Sequence, residues 1–516
     1  MNLLAVMLAL SPVIVILLLL VLRRMAADTA GVIGWVYTVL VAGLYFQTPL
    51  SILLKASLSG IVASLPIALV VATSILQVTI MIETGAIARV VALVKSVAPG
   101  NQVVQIMLIN VGFGTLLTAL GAVPVSILPP IMLALGYSSF TAIALPAIGY
   151  DALTTYALLG IPVVVFAGFV GLPVNEAGTY FARFMPVIST CIALGMLWLV
   201  GRWALVRRGL VPALIAGLTA GFVCIGMNIA GMVTLTGIAA GLGVIAAMLV
   251  YLKVRREPLG DRSVLNEEDL AAEGQLSLWA AILPWVLLTI FALVVNAPFL
   301  PLFDLTFSRW AMPLEIIPGA PEKVRPFWQA YFWILVSTLL ALPFLKATRA
   351  QLSGSLHKWL RRAPRPVLAA AVFFAVAFVI NHSGKGTDWV LADPSRNMVH
   401  VMATAAAATF GRLYPLIAPF LGLLAGFVSG SETSSIAMLT ELHLATAEQI
   451  AANGLLVAAA SGIGGGLASV ISPAKLQNAS ASIDRIGEES NVLRTTFIVA
   501  LVITAVCAVM TFVWAY

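Results

Sequence analysis

The chain has 516 residues, of which 61% are hydrophobic and only 9% charged, far below the roughly one quarter charged that is usual in soluble domains. That balance excludes a soluble globular protein. Long apolar runs without alternation exclude a transmembrane barrel, which leaves an all-α polytopic membrane protein. The net charge of +7 sits in short basic clusters beside apolar runs, where it sets topology and gives no sign of nucleic-acid binding.

In chain order, spans are predicted at about residues 2–22, 30–46, 60–82, 184–201, 209–227, 231–252, 277–296, 327–345, 366–381 and 493–515. At about 20 residues per crossing, the length accommodates about 12–14 transmembrane helices. The first run is long enough to cross and is followed by no clear small-residue cleavage site, so it reads as a retained span. Four basic clusters mark the cytoplasmic side: Arg23 with Arg24, then Arg202, Arg207 and Arg208, then Lys253, Arg255, Arg256 and Arg262, then Lys346 through Arg365. The N-terminus then lies outside.

Segments 84–97 and 347–363 mix apolar residues with Arg89, Lys95, Lys358, Arg361 and Arg362, a pattern for interfacial arms. Residues 253–276, with Glu257, Asp261, Glu267, Glu268 and Asp269, read as a cytoplasmic linker between an N-terminal half, 1–252, and a C-terminal half, 277–516. Each half has one apolar region studded with Gly, Pro, Ser and Thr, near 102–160 and 397–482. Such residues break helices, and the freed backbone groups must find partners in protein or at a cavity. One such region per half is expected of two inverted repeats with broken helices or re-entrant hairpins.

In the first region Gly112-Phe113-Gly114-Thr115-Leu116-Leu117-Thr118 leads into Gly121 and Pro124, as a break or as a kinked helix. Asp151, in Gly149-Tyr150-Asp151-Ala152-Leu153-Thr154-Thr155, is a lone acid in apolar surroundings: an ion or proton site, or a cap at the membrane edge. In the second region Gly430-Ser431-Glu432-Thr433-Ser434-Ser435 places five hydroxyl or carboxyl side chains in a row. A helix restarting near Thr433 would offer a carboxylate its N–H groups and positive end, and a buried Glu432 would hold a coupling proton; a solvated surface loop is the bland alternative. Gly462, Gly464, Gly465 and Gly466 run on to Ser472-Pro473-Ala474-Lys475, a second broken element or tight packing through small residues. Lys475 there neutralises an anion or snorkels to the interface. Asn381-His382-Ser383-Gly384 reads as a capped helix end.

His357, His400 and His443 have no metal-ligand spacing, and Cys191, Cys224 and Cys507 lie singly in apolar runs. Without a phosphate-binding loop or a nucleophile elbow, neither a cofactor, a metal nor an enzymatic role has support.

Gly430-Ser431-Glu432-Thr433-Ser434-Ser435, Thr446-Ala447-Glu448-Gln449-Ile450, Leu455 through Ala460 and the glycines before Ile471-Ser472-Pro473 together resemble the bacterial L-lactate permease family; Gly112-Phe113-Gly114-Thr115 and Pro124-Val125 add a looser likeness. The chain departs from that family's pattern in lacking an acid before Gly112, since none stands between Glu83 and Asp151. It also carries Glu432, Ile436 and Lys475 where the pattern has Asp, Asn and no basic residue. The resemblance implies a symporter of a small organic anion such as lactate or glycolate, in a bacterial-type inner membrane. Its partners are a proton, with sodium as the alternative, and the bilayer. It also resembles the wider ion transporter superfamily, which implies a homodimeric scaffold and a moving transport domain; an inorganic anion transporter and an anion channel are the other readings. The residues assigned are Gly430, Ser431, Thr433, Ser434, Ser435, Thr118, Ser472 and Lys475 for the anion, and Glu432 or Asp151 for the coupling ion.

Overall fold

Backbone polar groups in hydrocarbon need partners within the chain, and helices supply them almost throughout the computed structural model. It describes residues 2–516 except 24, 99, 122, 152, 297–299 and 486, and the side chains of 21, 150, 151, 428, 473 and 474 are also outside the described residues. Among the described residues, 11 helices are long and apolar enough to cross a membrane, or 12 with one bent pair. Leu44, Ile229 and Val254, each at least three-quarters exposed, belong to an apolar outer surface suited to lipid.

The chain begins with α1 (Leu3–Val21) and α2 (Ala27–Leu44), then α3 (Leu50–Glu83), whose 34 residues extend about 50 Å. The short α4 (Ala86–Ser96) follows as an amphipathic arm. Next, α5 (Gln102–Ile106) and α6 (Gly114–Ala119) are joined without interruption by a π-helix, Met107–Phe113, so the Gly112-Phe113 motif lies within one continuous span. After Gly121 the chain turns into α7 (Pro124–Ala134). The helices α8 (Ser139–Asp151) and α9 (Ala157–Val170) form the bent pair, at 60°.

The short α10 (Val174–Ala182) leads to α11 (Met185–Ile229), whose 45 residues would extend about 68 Å as one helix. It folds at Gly201 and Arg202, where the backbone is not helical, and so serves as the two spans predicted at 184–201 and 209–227. Then come α12 (Thr236–Arg255), α13 (Glu267–Gln275) and α14 (Leu278–Asn296). A β-hairpin of β1 (Met312–Ile317) and β2 (Ala320–Val324) follows, turning at Pro318-Gly319 with Gly319 at φ 74°. Proline at the first turn position and glycine at the second are the residues such a turn demands.

The C-terminal part comprises α15 (Ala330–Ala341), a second arm α16 (Arg349–Arg362), α17 (Pro364–His382), α18 (Met398–Phe410), α19 (Tyr414–Ser429), α20 (Glu432–Gln449), α21 (Gly454–Leu467), α22 (Pro473–Ala481) and α23 (Glu489–Trp514). One packed group is built on α3. Gly60 lets α17 cross it so closely that an added Cβ would lie 2.6 Å from the Phe374 carbonyl oxygen. The Gln77 side chain donates to Thr338 of α15 at 3.0 Å, and Trp359 of α16 donates to the Ala72 carbonyl at 2.8 Å. A second group holds the bent and broken helices, with α19 and α20 packed against α21, and α20 against α9.

The acidic segment 253–276 is anchored to the first arm. Asp269 accepts from Lys95 at 2.8 Å, both side chains being about nine-tenths shielded, and Glu273 pairs with Arg89 at 3.1 Å. Removing one member strands a buried charge, whereas removing both does not. Lys95→Ala is therefore expected to lower stability by about 3 kcal/mol. Adding Asp269→Ala should restore part of the loss, and thermal unfolding of detergent-solubilised protein would measure both.

Candidate functional site

Four interruptions lie inside the helical body. The turn at Gly121 (φ 84°) joins α6 to α7, and Gly430 (φ 69°) joins α19 to α20; both need the left-handed backbone that glycine tolerates. The other two are breaks within a helical pair, at 153–156 between α8 and α9 and at 468–472 between α21 and α22. Just after the first of these, at the start of α9, Leu158, Leu159 and Gly160 all have positive φ, and for leucine that conformation is costly and points to a local role.

At Gly430, Ser431 caps α20: its carbonyl accepts from Ser435 N–H at 3.1 Å and its hydroxyl from Ser434 N–H at 3.3 Å. The N–H groups of Glu432 and Thr433 open the helix and have no intrahelical acceptor. They sit at the positive end of an 18-residue dipole. The Glu432 side chain is directed inward and only 6% of the residue is exposed. Thr155, in the opposing break, donates to Oε1 at 2.7 Å. Oε2 and the Thr154 hydroxyl flank Gly466, where even a methyl group would collide with both.

Each glycine of that run faces a different neighbour. Gly462 meets Ile436 and Phe181, Gly464 the Pro419 carbonyl, Gly465 Ser435, and Gly466 Glu432. The packing and site readings of the run are thus compatible, because close approach is what brings the carboxyl to the break.

A cavity of about 360 Å³ opens beside these elements. Ser431, Glu432, Thr433 and Ser434 form one wall; Thr154, Ser469, Ser472 and Lys475 form the facing one. Lys475 donates to Ser469 at 2.5 Å. The remaining lining is apolar, with Ile67 and Val71 of α3, Leu158 and Pro162 of α9, and Phe373 of α17. Asp28 and Arg365, 3.9 Å apart, also line the cavity, next to basic clusters that the sequence predicts to be cytoplasmic. Hydroxyls, open helix N–H groups and a lysine around a small, largely apolar space suit a compact anion with a short hydrocarbon body.

The structure brings Gly430, Ser431, Glu432, Thr433, Ser434, Ser472 and Lys475 to this cavity. Ser435 donates instead to the Gly422 carbonyl at 3.1 Å, and buried Thr118 to the Gly114 carbonyl at 2.8 Å; neither lines the cavity. Asp151 ends α8, and its side chain is outside the described residues. Sequence reasoning missed Thr154, Thr155 and Ser469 as site residues. A hydroxyl pair at 154–155 within an apolar run was the available signal.

A family model described as L-lactate permease matches residues 5–516. The chain is 26% identical to glycolate permease GlcA of Escherichia coli (strain K12), over 99% of this chain and 96% of the relative. It is 24% identical to the L-lactate permease of Salmonella typhimurium (92% and 89%) and to that of Bacillus subtilis (99% and 96%).

Thr155 donates a hydrogen bond to a carboxyl buried in the wall. Thr155→Val, which keeps the shape and removes the donor, is expected to cost about 1–3 kcal/mol in thermal unfolding. Thr155→Ser should retain most of the stability.

Proposed function

The chain belongs to the L-lactate permease family, and from that premise we propose that it is a proton-coupled symporter of a small monocarboxylate such as L-lactate or glycolate. The observation that carries this reading is the cavity wall at 431–434, where a buried carboxyl adjoins the N-terminus of α20. The anion's carboxylate is bound by the N–H group of Thr433 and the hydroxyls of Ser431, Thr433 and Ser434, with Ser472 and Lys475 opposite. Its short carbon chain rests on Leu158, Pro162 and Phe373. Glu432 carries the proton: a neutral carboxyl can share this wall with an anion, whereas two negative charges there would repel each other without a high-dielectric solvent between them.

The protein is a multi-pass inner-membrane protein, and the cavity opening beside Arg365 supports reading this conformation as inward-facing. The two regions that pair a turn with a broken helix support reading residues 1–252 and 277–516 as inverted repeats joined by the cytoplasmic segment 253–276. Packing around α3, with α15 and α17, supports a stationary group against which the site-bearing helices move. A homodimer through that group follows the superfamily resemblance.

Proteoliposome uptake and counterflow of labelled L-lactate and glycolate, under separately imposed proton and sodium gradients, test cargo and coupling together. Glu432→Gln should abolish accumulation driven by a proton gradient while preserving counterflow. Thr433→Ala should raise KM about fivefold or more, as expected for loss of one hydrogen bond to a charged ligand. Unchanged transport and binding in both variants would refute the site.

Access supplies a second check. Ser434→Cys should react with a membrane-impermeant thiol reagent from the cytoplasmic face, and bound substrate should slow that reaction.

A further inference from the structure

A second cavity, of about 440 Å³, lies on the opposite side of the same three helices. The two cavities divide those helices at one level. On α3 the outer cavity takes Ala63 and Pro66 and the inner one Ile67 and Val71. On α17 the division falls between Phe373 inside and Phe374 outside, and on α9 between Pro162 and Val164. These positions are near the middle of α3, α17 and α9, so the two spaces face each other across a thin apolar layer at mid-membrane depth. The outer lid is the end of the β-hairpin and the turn after it, which bring Glu322, Lys323 and Arg325 over the opening.

We propose that this outer cavity is an extracellular anion-binding vestibule, in which Lys323 and Arg325 collect the carboxylate of the transported acid. The inference rests on the monocarboxylate reading above. Arg325 is held in place by donation from its Nε to the Phe307 carbonyl at 2.9 Å and by the Phe307 ring, 4.1 Å from the guanidinium carbon. Its two terminal nitrogens have no protein acceptor among the described residues and are available to a carboxylate. Lys323 is exposed on the strand and adds a second positive charge. Glu322, the one acid in this lining among the described residues, is tied down by donation from the Ser59 hydroxyl at 3.1 Å. Burial shifts the Glu322 carboxyl upward from its usual value, and the Ser59 hydrogen bond opposes that shift. The walls behind these charges are apolar, with Phe169, Phe374 and Phe378, and low-dielectric walls concentrate the field on the opening.

The test compares the two faces of one protein. Right-side-out vesicles present the vestibule to substrate, and inverted vesicles present the cytoplasmic cavity. For whichever of labelled L-lactate and glycolate the wild-type protein transports, Lys323→Gln should raise KM about threefold at low ionic strength in right-side-out vesicles, with Lys323→Glu higher still. Lys323→Arg should match the wild type. The differences should vanish near 0.5 M salt, a concentration that screens charges beyond about 4 Å. KM in inverted vesicles should not change, and the ratio of the two maximal rates should shift by the same factor as the outer KM, because without a gradient the ratio of maximal rate to KM must be equal in the two directions. An unaltered KM in Lys323→Glu, or an equal shift on both faces, would overturn the vestibule while leaving the transport reading intact. Absence of saturable uptake of either acid by the wild-type protein would instead overturn the transport reading, and the vestibule with it.

Discussion

A helix that ends inside hydrocarbon leaves N–H and C=O groups that lipid cannot bind, so it must end within protein. The turns at Gly121 and Gly430 and the breaks at 153–156 and 468–472 all obey this constraint. Glycine makes the enclosure feasible. An added Cβ on Gly426 would press on the Gly465 backbone, and one on Gly464 on the Pro419 carbonyl, so α19 and α21 meet backbone to backbone. Around the first region Gly237 and Gly241 of α12 admit the Tyr156 carbonyl and the Leu116 N–H at 2.8 Å from an ideal Cβ. The interruptions are thereby held against rigid neighbours, and their exposed polar ends face the interior and the cavity. The polar chemistry of the site is a consequence of how the backbone is sheltered.

Charge obeys a related rule. Lys95, Asp269, Arg89 and Glu273 are paired where α13 meets the interfacial arm α4, where partial shielding is matched by an opposite charge. Within the helical body, Glu432 instead accepts hydrogen bonds from the Thr155 and Thr154 hydroxyls, with the Lys475 cation acting on it from the same cavity. Hydroxyl donors can stay in place whether or not the acid carries a proton. An ion pair such as Lys95–Asp269 is poorly suited to a change of protonation, since removing its charge would loosen the arm.

Hydropathy made most of the spans legible, because about 20 apolar residues in a row have few other uses. The short helices α4 and α16 were legible through Arg89, Lys95 and Lys358, but not that Arg89 and Lys95 turn inward to Glu273 and Asp269 on α13. Less was visible where one signal masks another. The first part of α3 carries Ser51, Lys55, Ser57 and Ser59, which dilute its hydropathy, and the predicted span starts ten residues late. Their polar atoms are accommodated by structure that hydropathy cannot foresee: Ser57 accepts from Trp35, and Ser59 donates to Glu322, 263 residues away. The hairpin at 312–324 had its Pro318-Gly319 turn in plain view between the predicted spans 277–296 and 327–345. Gly430 through Ser434 announced themselves as a site because their polarity is continuous. Thr154 and Thr155 did not, because two hydroxyls in an apolar run satisfy themselves locally in most helices, and only the fold places them opposite Glu432.

The division of α3, α9 and α17 at a common level gives the two cavities different chemistry on either side of a shared apolar layer. Inside it are hydroxyls, helix N–H groups, a carboxyl and Lys475; outside it are Glu322, Lys323 and Arg325 at the end of the hairpin. Pro66 and Pro162 lie at this level, where each removes a backbone donor and weakens the local helical ladder. A layer made of Phe373, Phe374 and two proline-bearing turns is well packed against water yet offers an anion no partner, so a carboxylate has no stable position within it. In the proposed cycle the anion therefore cannot diffuse through this layer at an appreciable rate, and transfer requires the wall at 431–434 to change its position relative to α3. That requirement separates a carrier from a channel in this fold, because a channel would need polar groups lining the layer itself.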